Sequence, residues 1–239
     1  MSGGAYSALS GMQARLAELD RIASDLANVG TAGYKAERAG MVTMERDGFA
    51  AALDTAVDVM EGSKKVDFTA GVIANTGNPL DVAIDGRGFF AIQTPAGVRY
   101  TRNGSFSRRA DGLLTTSEGE AVLNDAGGDI RLPTGPISID GNGSVRVGNT
   151  VAGKIQVVDF ASTDLVRETG SRFRAIIGAE PQPFDGALVG GAVEQSNVSM
   201  VDRMVALTET TRGFDLLQRG VTTLMNELDQ KAIAELGKR

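Results

Sequence analysis

Apolar positions near the two ends of the chain recur in steps of three and four, whereas those in the middle come in short runs between turn signals. From about Ala5 to Asn28, Leu9, Met12, Leu16, Leu19, Ala23 and Leu26 form one row at heptad spacing, which predicts an amphipathic helix. Only Gly11 interrupts it, and Asn28, Gly30 and Gly33 supply the stop, because Asn and Gly tolerate the left-handed backbone that ends helices. Near the other end, Ser199 followed by Asp202 makes a capping-box-like start. Leu207, Thr210, Phe214, Leu217, Val221, Leu224 and Leu228 then repeat the same spacing. This second helix is predicted to reach about Leu236, a span of about 55 Å at the rise of an α-helix.

The middle reads differently. From Asn78 to Phe160, short segments such as Val82 to Ile84, Phe89 to Gln93 and Ile155 to Phe160 are separated by Asn103-Gly104, Asp111-Gly112, Glu118-Gly119 and Gly127-Gly128. Such dipeptides make hairpins, so an antiparallel barrel or sandwich is expected there. Residues 34–75 have a weak pattern, read as an extended connector with a short helix near Ala50 to Val59. Residues 181–198, with Pro181 and Pro183, read as a connecting loop. The predicted class is α+β. An N-terminal axial helix (1–35) pairs with a C-terminal one (199–239) as a helical coiled-coil domain. The connector (36–75), an all-β domain (76–180) and the loop (181–198) lie between them.

An apolar stripe must be buried somewhere. The two terminal helices can pack on the β-domain, or pair with each other and with neighbouring subunits. Their narrow seams and the apolar-poor joining segments favour the second. The candidate subunit-interface residues are therefore Leu9, Met12, Leu16, Leu19, Leu26, Asn28, Thr31, Gly33, Tyr34, Leu207, Phe214, Leu217, Val221, Leu224 and Leu228. Contacts of this kind are mostly apolar and should be weakened little by salt.

Composition narrows the chemistry. The chain of 239 residues has no cysteine and no histidine, which removes thiol and Ser-His nucleophiles, thiolate or imidazole metal sites and disulfides. No cofactor and no metal are expected. The net charge of -6 argues against nucleic acid, and Arg99, Arg102, Arg108 and Arg109 read as a solvated strand face. No apolar run approaches a membrane span, so no membrane insertion is expected. Met1 to Ser10 lacks the basic and apolar regions of a cleaved secretory signal, so a place outside the cytoplasm would need another route.

Several motifs look chemical without fitting their chemistry. Gly86-x-Gly88-x-x-Ala91 leads into a strand-like run, not the helix a dinucleotide needs. Gly148 to Lys154 is followed by Ile155 where a phosphate loop needs Ser or Thr. Asp140-x-Asn142-x-Ser144 has Val151 at the position of the calcium-binding Glu. Asp81, Asp85 and Asp111 are the candidates for a carboxylate enzyme, and turn and strand-end chemistry explains them more simply.

Three segments resemble one family. Ala23-Ser24-Asp25-Leu26-Ala27-Asn28-Val29-Gly30-Thr31-Ala32-Gly33-Tyr34-Lys35 is similar to the N-terminal signature of the rod and hook proteins of the bacterial flagellar basal body, with Asp25 where that family usually has Asn. Thr76 to Phe90, together with Tyr100 to Phe106 and Asp111 to Leu114, resembles the family's central β-motif. Glu194-Gln195-Ser196-Asn197-Val198 opens the final helix as in rod proteins. The resemblance implies a non-enzymatic subunit exported unfolded by the flagellar type III apparatus. Its terminal helices would form the channel wall of the periplasmic rod and transmit torque, with other axial subunits as partners. The short length and the Ala5-Tyr6 start resemble the proximal rod branch. A distal rod or hook-type protein is the alternative within the family, and a dimeric adhesive module with a β ligand-binding domain is the alternative outside it.

Overall fold

A computed structural model describes residues 3–39, 64–161 and 164–236, with side chains described from residue 11 onward and, in the last helix, mostly up to residue 223. The short helix expected near Ala50 to Val59 lies outside the described residues. The chain divides into two compact units. One comprises residues 1–27, 37–65 and 199–239, and the other residues 28–36 and 66–198.

The first unit is built on two helices, α1 (Gly3–Ala27) and α2 (Met200–Leu236). The Ser199 carbonyl accepts from Arg203 N–H and its hydroxyl from Asp202 N–H at 3.4 Å, so the capping start predicted from sequence is present. Two short strands, β1 (Glu37–Ala39) and β2 (Lys64–Val66), pair with each other.

The second unit holds the remaining strands. β3 (Ile73–Asn75), β4 (Val82–Asp85), β5 (Phe89–Thr94), β6 (Gly97–Thr101), β7 (Phe106–Arg108), β8 (Leu114–Thr116) and β9 (Ala121–Val122) come first. They are followed by β10 (Ile137–Ile139), β11 (Ser144–Val147), β12 (Thr150–Lys154), β13 (Val157–Asp159), β14 (Leu165–Thr169) and β15 (Arg172–Ala175). The last three are β16 (Gln182–Pro183), β17 (Ala187–Gly190) and β18 (Ala192–Glu194). The largest sheet runs β14-β15-β6-β5-β9-β8-β7, with β13 joining β5 to β16. β10-β11-β12 form a three-stranded sheet, β17 pairs with β4, and β18 with β3, all antiparallel.

The antiparallel β middle expected from the turn spacing is there. Among the described residues, however, the sheets stay open and none closes into a barrel. Strands of two to six residues are too short to tilt around a closed cylinder, and they bury one face in local layers instead. The stretch 181–198 is not all loop, since it carries β16, β17 and β18. Its prolines and glycines read as loop because β16 and β17 are exposed two- and four-residue strands with little apolar alternation.

The main core gathers Val82, Ile84, Phe90, Phe106, Leu114, Val122, Ile130, Val145, Ile155 and Leu188, with Phe90 and Phe106 edge-to-face at 5.1 Å. A second cluster stacks Phe68, Phe89 and Phe173 with ring centroids 5.3 to 5.7 Å apart. These ring contacts add specificity to the burial of area.

A candidate assembly site

The β unit draws together residues from all three resembling segments. Lys35 follows the N-terminal turn, Arg102 follows β6, and Glu194 ends β18. All three side chains are almost wholly inaccessible. Lys35 Nζ donates to Glu194 Oε1 at 2.5 Å and to the Thr69 carbonyl at 2.8 Å. Arg102 donates to Glu194 Oε2 at 3.1 Å and to the Gly86 carbonyl at 2.7 Å. Gly71 N–H is the third donor to the carboxylate, reaching Oε1 at 2.8 Å. One carboxylate thus pairs with two buried cations, and losing it would leave both without their counter-charge. Burial pushes Lys35 below its ordinary value of 10.5, and the Glu194 hydrogen bond works against that shift.

Backbone contacts reinforce the junction. Gly33 N–H donates to the Glu194 carbonyl at 2.7 Å. Gly33 has φ +67, and a Cβ there would lie 2.2 Å from the Arg102 carbonyl carbon, so only glycine fits. Gly104 is equally constrained, with Val82 O 1.7 Å from any Cβ. Asn197 accepts from Ala36 N–H at 2.7 Å and donates to the Asp67 carbonyl at 2.9 Å. Buried Tyr34 lies under the Arg167 guanidinium at 4.4 Å, and Arg167 also donates to the Lys35 carbonyl. Thr31 donates its hydroxyl to Asn28 Oδ1 at 3.2 Å, closing the turn after α1.

In the helical unit, α1 and α2 pack against each other. A Cβ on Gly11 would meet Leu217 Cδ1 at 3.6 Å, and one on Gly213 would meet Arg15 Nε at 3.6 Å. Asp25 Oδ2 lies 3.5 Å from Arg203 Nε. Moving up α1 from 11 to 15 to 25 moves down α2 from 217 to 213 to 203 in equal steps, so the helices run antiparallel in one fixed register. Asp25 is fully buried, and its other oxygen accepts from Glu37 N–H at 3.3 Å. The acid at the family's Asn position therefore has a cation facing it.

The row of α2 that packs inward is the one read from sequence. Thr210 is buried, and Leu207, Phe214, Leu217 and Val221 are half-buried. On α1 the packed face is offset. Ile22 and Asp25 are buried, Met12, Leu19 and Leu26 are half-buried, and Leu16 stays 48% exposed. Asn28, Thr31, Gly33 and Tyr34 belong to the β unit, where Gly33 and Tyr34 are buried. The side chains of Leu9, Leu224 and Leu228 lie outside the described ones.

Residues that looked chemical take structural places. Buried Asp81 accepts from Thr76 Oγ1 at 2.6 Å and Asn78 Nδ2 at 2.9 Å, building the turn before β4. Asp85 is exposed at the end of β4, and Asp111 is paired with Arg109 in an exposed turn. Residues 140–144 form a polar turn in which Ser144 N–H donates to Asn142 Oδ1 at 3.0 Å. Among the described residues no acidic group of metal-binding kind is found. The arginines read as a solvated face divide. Arg108 and Arg109 are exposed, but Arg99 and Arg102 are buried against Glu168 and Glu194. Sequence spacing could not see those partners, which lie 69 and 92 residues away.

Residues 83–147 match the flagellar hook protein FlgE/F/G D1 domain, and residues 189–235 match the flagellar basal body rod FlgEFG protein C-terminal domain. The chain is 34% identical to the flagellar basal-body rod protein FlgF of Caulobacter vibrioides, covering 100% of this chain and 99% of that one. It is 32% identical to FlgF of Rhizobium meliloti over 99% of both. It is 35% identical to FlgG of Bacillus subtilis over 91% of this chain and 93% of that protein. The chain belongs to the flagellar basal-body rod protein family. Its likeness to FlgF relatives runs end to end. As a member of this family it is a structural component of the rod rather than an enzyme, it is placed in the flagellar basal body, and it assembles with other axial subunits.

Sequence reasoning singled out the right segments but missed Arg102 and Glu194 as a pair with Lys35. The signal available was the presence of each residue in a family-like segment. What joins them is tertiary and has no period.

Proposed function

We propose that this chain is a wall-forming subunit of the proximal rod. Its terminal helices pack with those of neighbouring subunits around the central channel and carry torque along the rod. The chain reaches the periplasm through the flagellar type III apparatus without a cleaved signal. The carrying observation is that α1 and α2 pack on each other while Leu16, Met200, Val201, Met204, Val205 and Leu216 stay exposed on the pair's other faces. A helix pair in that condition is completed by neighbours. The candidate interface residues that the pairing leaves exposed are taken to act there, those of the inward α2 row to hold it on α1, and those at Asn28 to Tyr34 to fix the chain's exit from α1. The test is deletion of residues 1–30 in the host strain. Rods lacking the subunit and loss of swimming are expected, and normal rods that still contain the shortened chain would refute the reading.

A further inference from the structure

A cleft of about 430 Å³ in the β unit is lined by residues 154–158, by the link between β16 and β17, and by the turns at Asp125 and Asn142. That volume falls in the range of small-molecule pockets, roughly 300–1,000 Å³. The backbone of 154–158 is already spent. Ile155 N–H donates to the Gly143 carbonyl at 2.9 Å, Gln156 N–H to the Leu123 carbonyl at 2.9 Å, and the Gln156 carbonyl accepts from Ala91 N–H at 3.1 Å. Val157 and Val158 are paired with Phe90 and Phe89. No free strand edge is left there for an extended peptide to join, so a ligand must be held by side chains.

Those side chains are of two kinds. Among the described residues, the side chains of Asp125, Lys154 and Gln156 make no hydrogen bond or ion pair, and Asn142 uses only its Oδ1. Together they present a carboxylate, an ammonium and two amides, a set of donors and acceptors with no net charge. Phe184 supplies the apolar surface. A Cβ on Gly88 would lie 2.9 Å from its Cδ2, and one on Gly186 2.6 Å from its Cε2. The ring is therefore seated against two backbones that only glycine keeps bare, and it stays half-buried.

We infer that this cleft is a binding site for a neutral sugar, a pyranose ring with free hydroxyls. Each hydroxyl of such a ring donates and accepts, which amides and a carboxylate satisfy, and its C–H face stacks on an aromatic side chain. A small ion is a poorer match, since Asp125 and Lys154 oppose either sign. A wholly apolar ligand would leave four polar groups without partners. Every residue invoked belongs to the β unit, and the site needs nothing from the rod reading.

The purified full chain is titrated with glucose, galactose and N-acetylglucosamine, and separately with triglycine, and followed by amide NMR. At least one sugar should shift the amides of Gln156 and Gly186 saturably, with a Kd of about 1 mM, as for a shallow site with few hydrogen bonds. Triglycine should leave them in place. Gln156→Ala should weaken sugar binding about fivefold, the loss of one hydrogen bond. Phe184→Leu, which keeps an apolar side chain on the core, should weaken it at least as much. Thermal melts check that both variants fold, and if Phe184→Leu does not, Gln156→Ala alone decides. No saturable shift with any of the three sugars, shifts confined to other surfaces, an equal response to triglycine, or unchanged affinity in the folded variants would overturn the inference.

Discussion

The two units solve the problem of burial in opposite ways. The β unit gathers its aromatic residues and part of its aliphatic ones into closed clusters, leaves single ones such as Val72, Val151 and Ile177 exposed, and seals the junction of its distant segments with a carboxylate shared by Lys35 and Arg102. The helical unit leaves Met200, Val201, Met204, Val205, Leu216 and Leu16 46 to 70% exposed, and its cross-helix ion pair, Asp25 with Arg203, has 23% of the arginine side chain in solvent. Buried charge networks are satisfied fully or fail as a block. Narrow apolar stripes gain from each additional neighbour. The contrast separates a part locked by a buried charge network from a part that, in the proposed reading, is completed by assembly.

The sharpest way to break this contrast is at Glu194. Replacing it with Gln leaves two buried cations facing a neutral amide, and a loss of about 3–5 kcal/mol in urea unfolding of the purified chain is expected. Lys35→Met should cost far less, within about 1 kcal/mol, because Arg102 and Gly71 still satisfy Glu194 and the desolvation cost of the lysine disappears. Equal losses from the two variants would mean that the junction is not organised around the carboxylate.

A smaller effect is expected in the helical unit. Asp25→Asn restores the residue usual in the family and keeps an acceptor for Glu37 N–H, but removes the charge facing Arg203. A loss of about 1 kcal/mol in helix melting followed by circular dichroism is expected, as for a partly exposed pair. A loss as large as that of Glu194→Gln would erase the distinction between the units.

The smallest effect is in an exposed turn of the β unit. Hydrogen bonds from Arg109 and then from Leu113 N–H hold Asp111 at about 2, below its ordinary 3.8. A depressed folded value means that its contribution is complete above the ordinary value and is lost as pH falls through the window from 3.8 to about 2. Asp111→Asn should therefore flatten the acid limb of the melting temperature in that window, with its small loss seen at neutral pH and the two proteins converging below about 2.

What could be read from sequence follows the range of the interactions. The cap at Ser199, the inward row of α2 and the turn-separated strands depend on residues within a few positions of each other, and all were legible. The offset of the packed face on α1 was not. Ile22 and a charged Asp25 lie inside while Leu16 lies outside, because Arg203 on the facing helix makes burial of Asp25 possible. Arg99 and Arg102 read as solvated for the same reason, their acids being far along the chain. The strands within 181–198 were hidden because pairing, not side-chain pattern, defines them: β17 lies along β4 and β18 along β3.

The link between Lys35 and Glu194 closes a loop whose ends stand 159 residues apart. A chain made from its N-terminus on the ribosome holds its lysine from the beginning and lacks the counter-charge until residue 194 of 239 has been added. Until then Lys35 gains nothing by leaving water, and closure of so long a loop is slow. The junction thus acts as a full stop at the end of a long sentence, left open until most of the chain has been made.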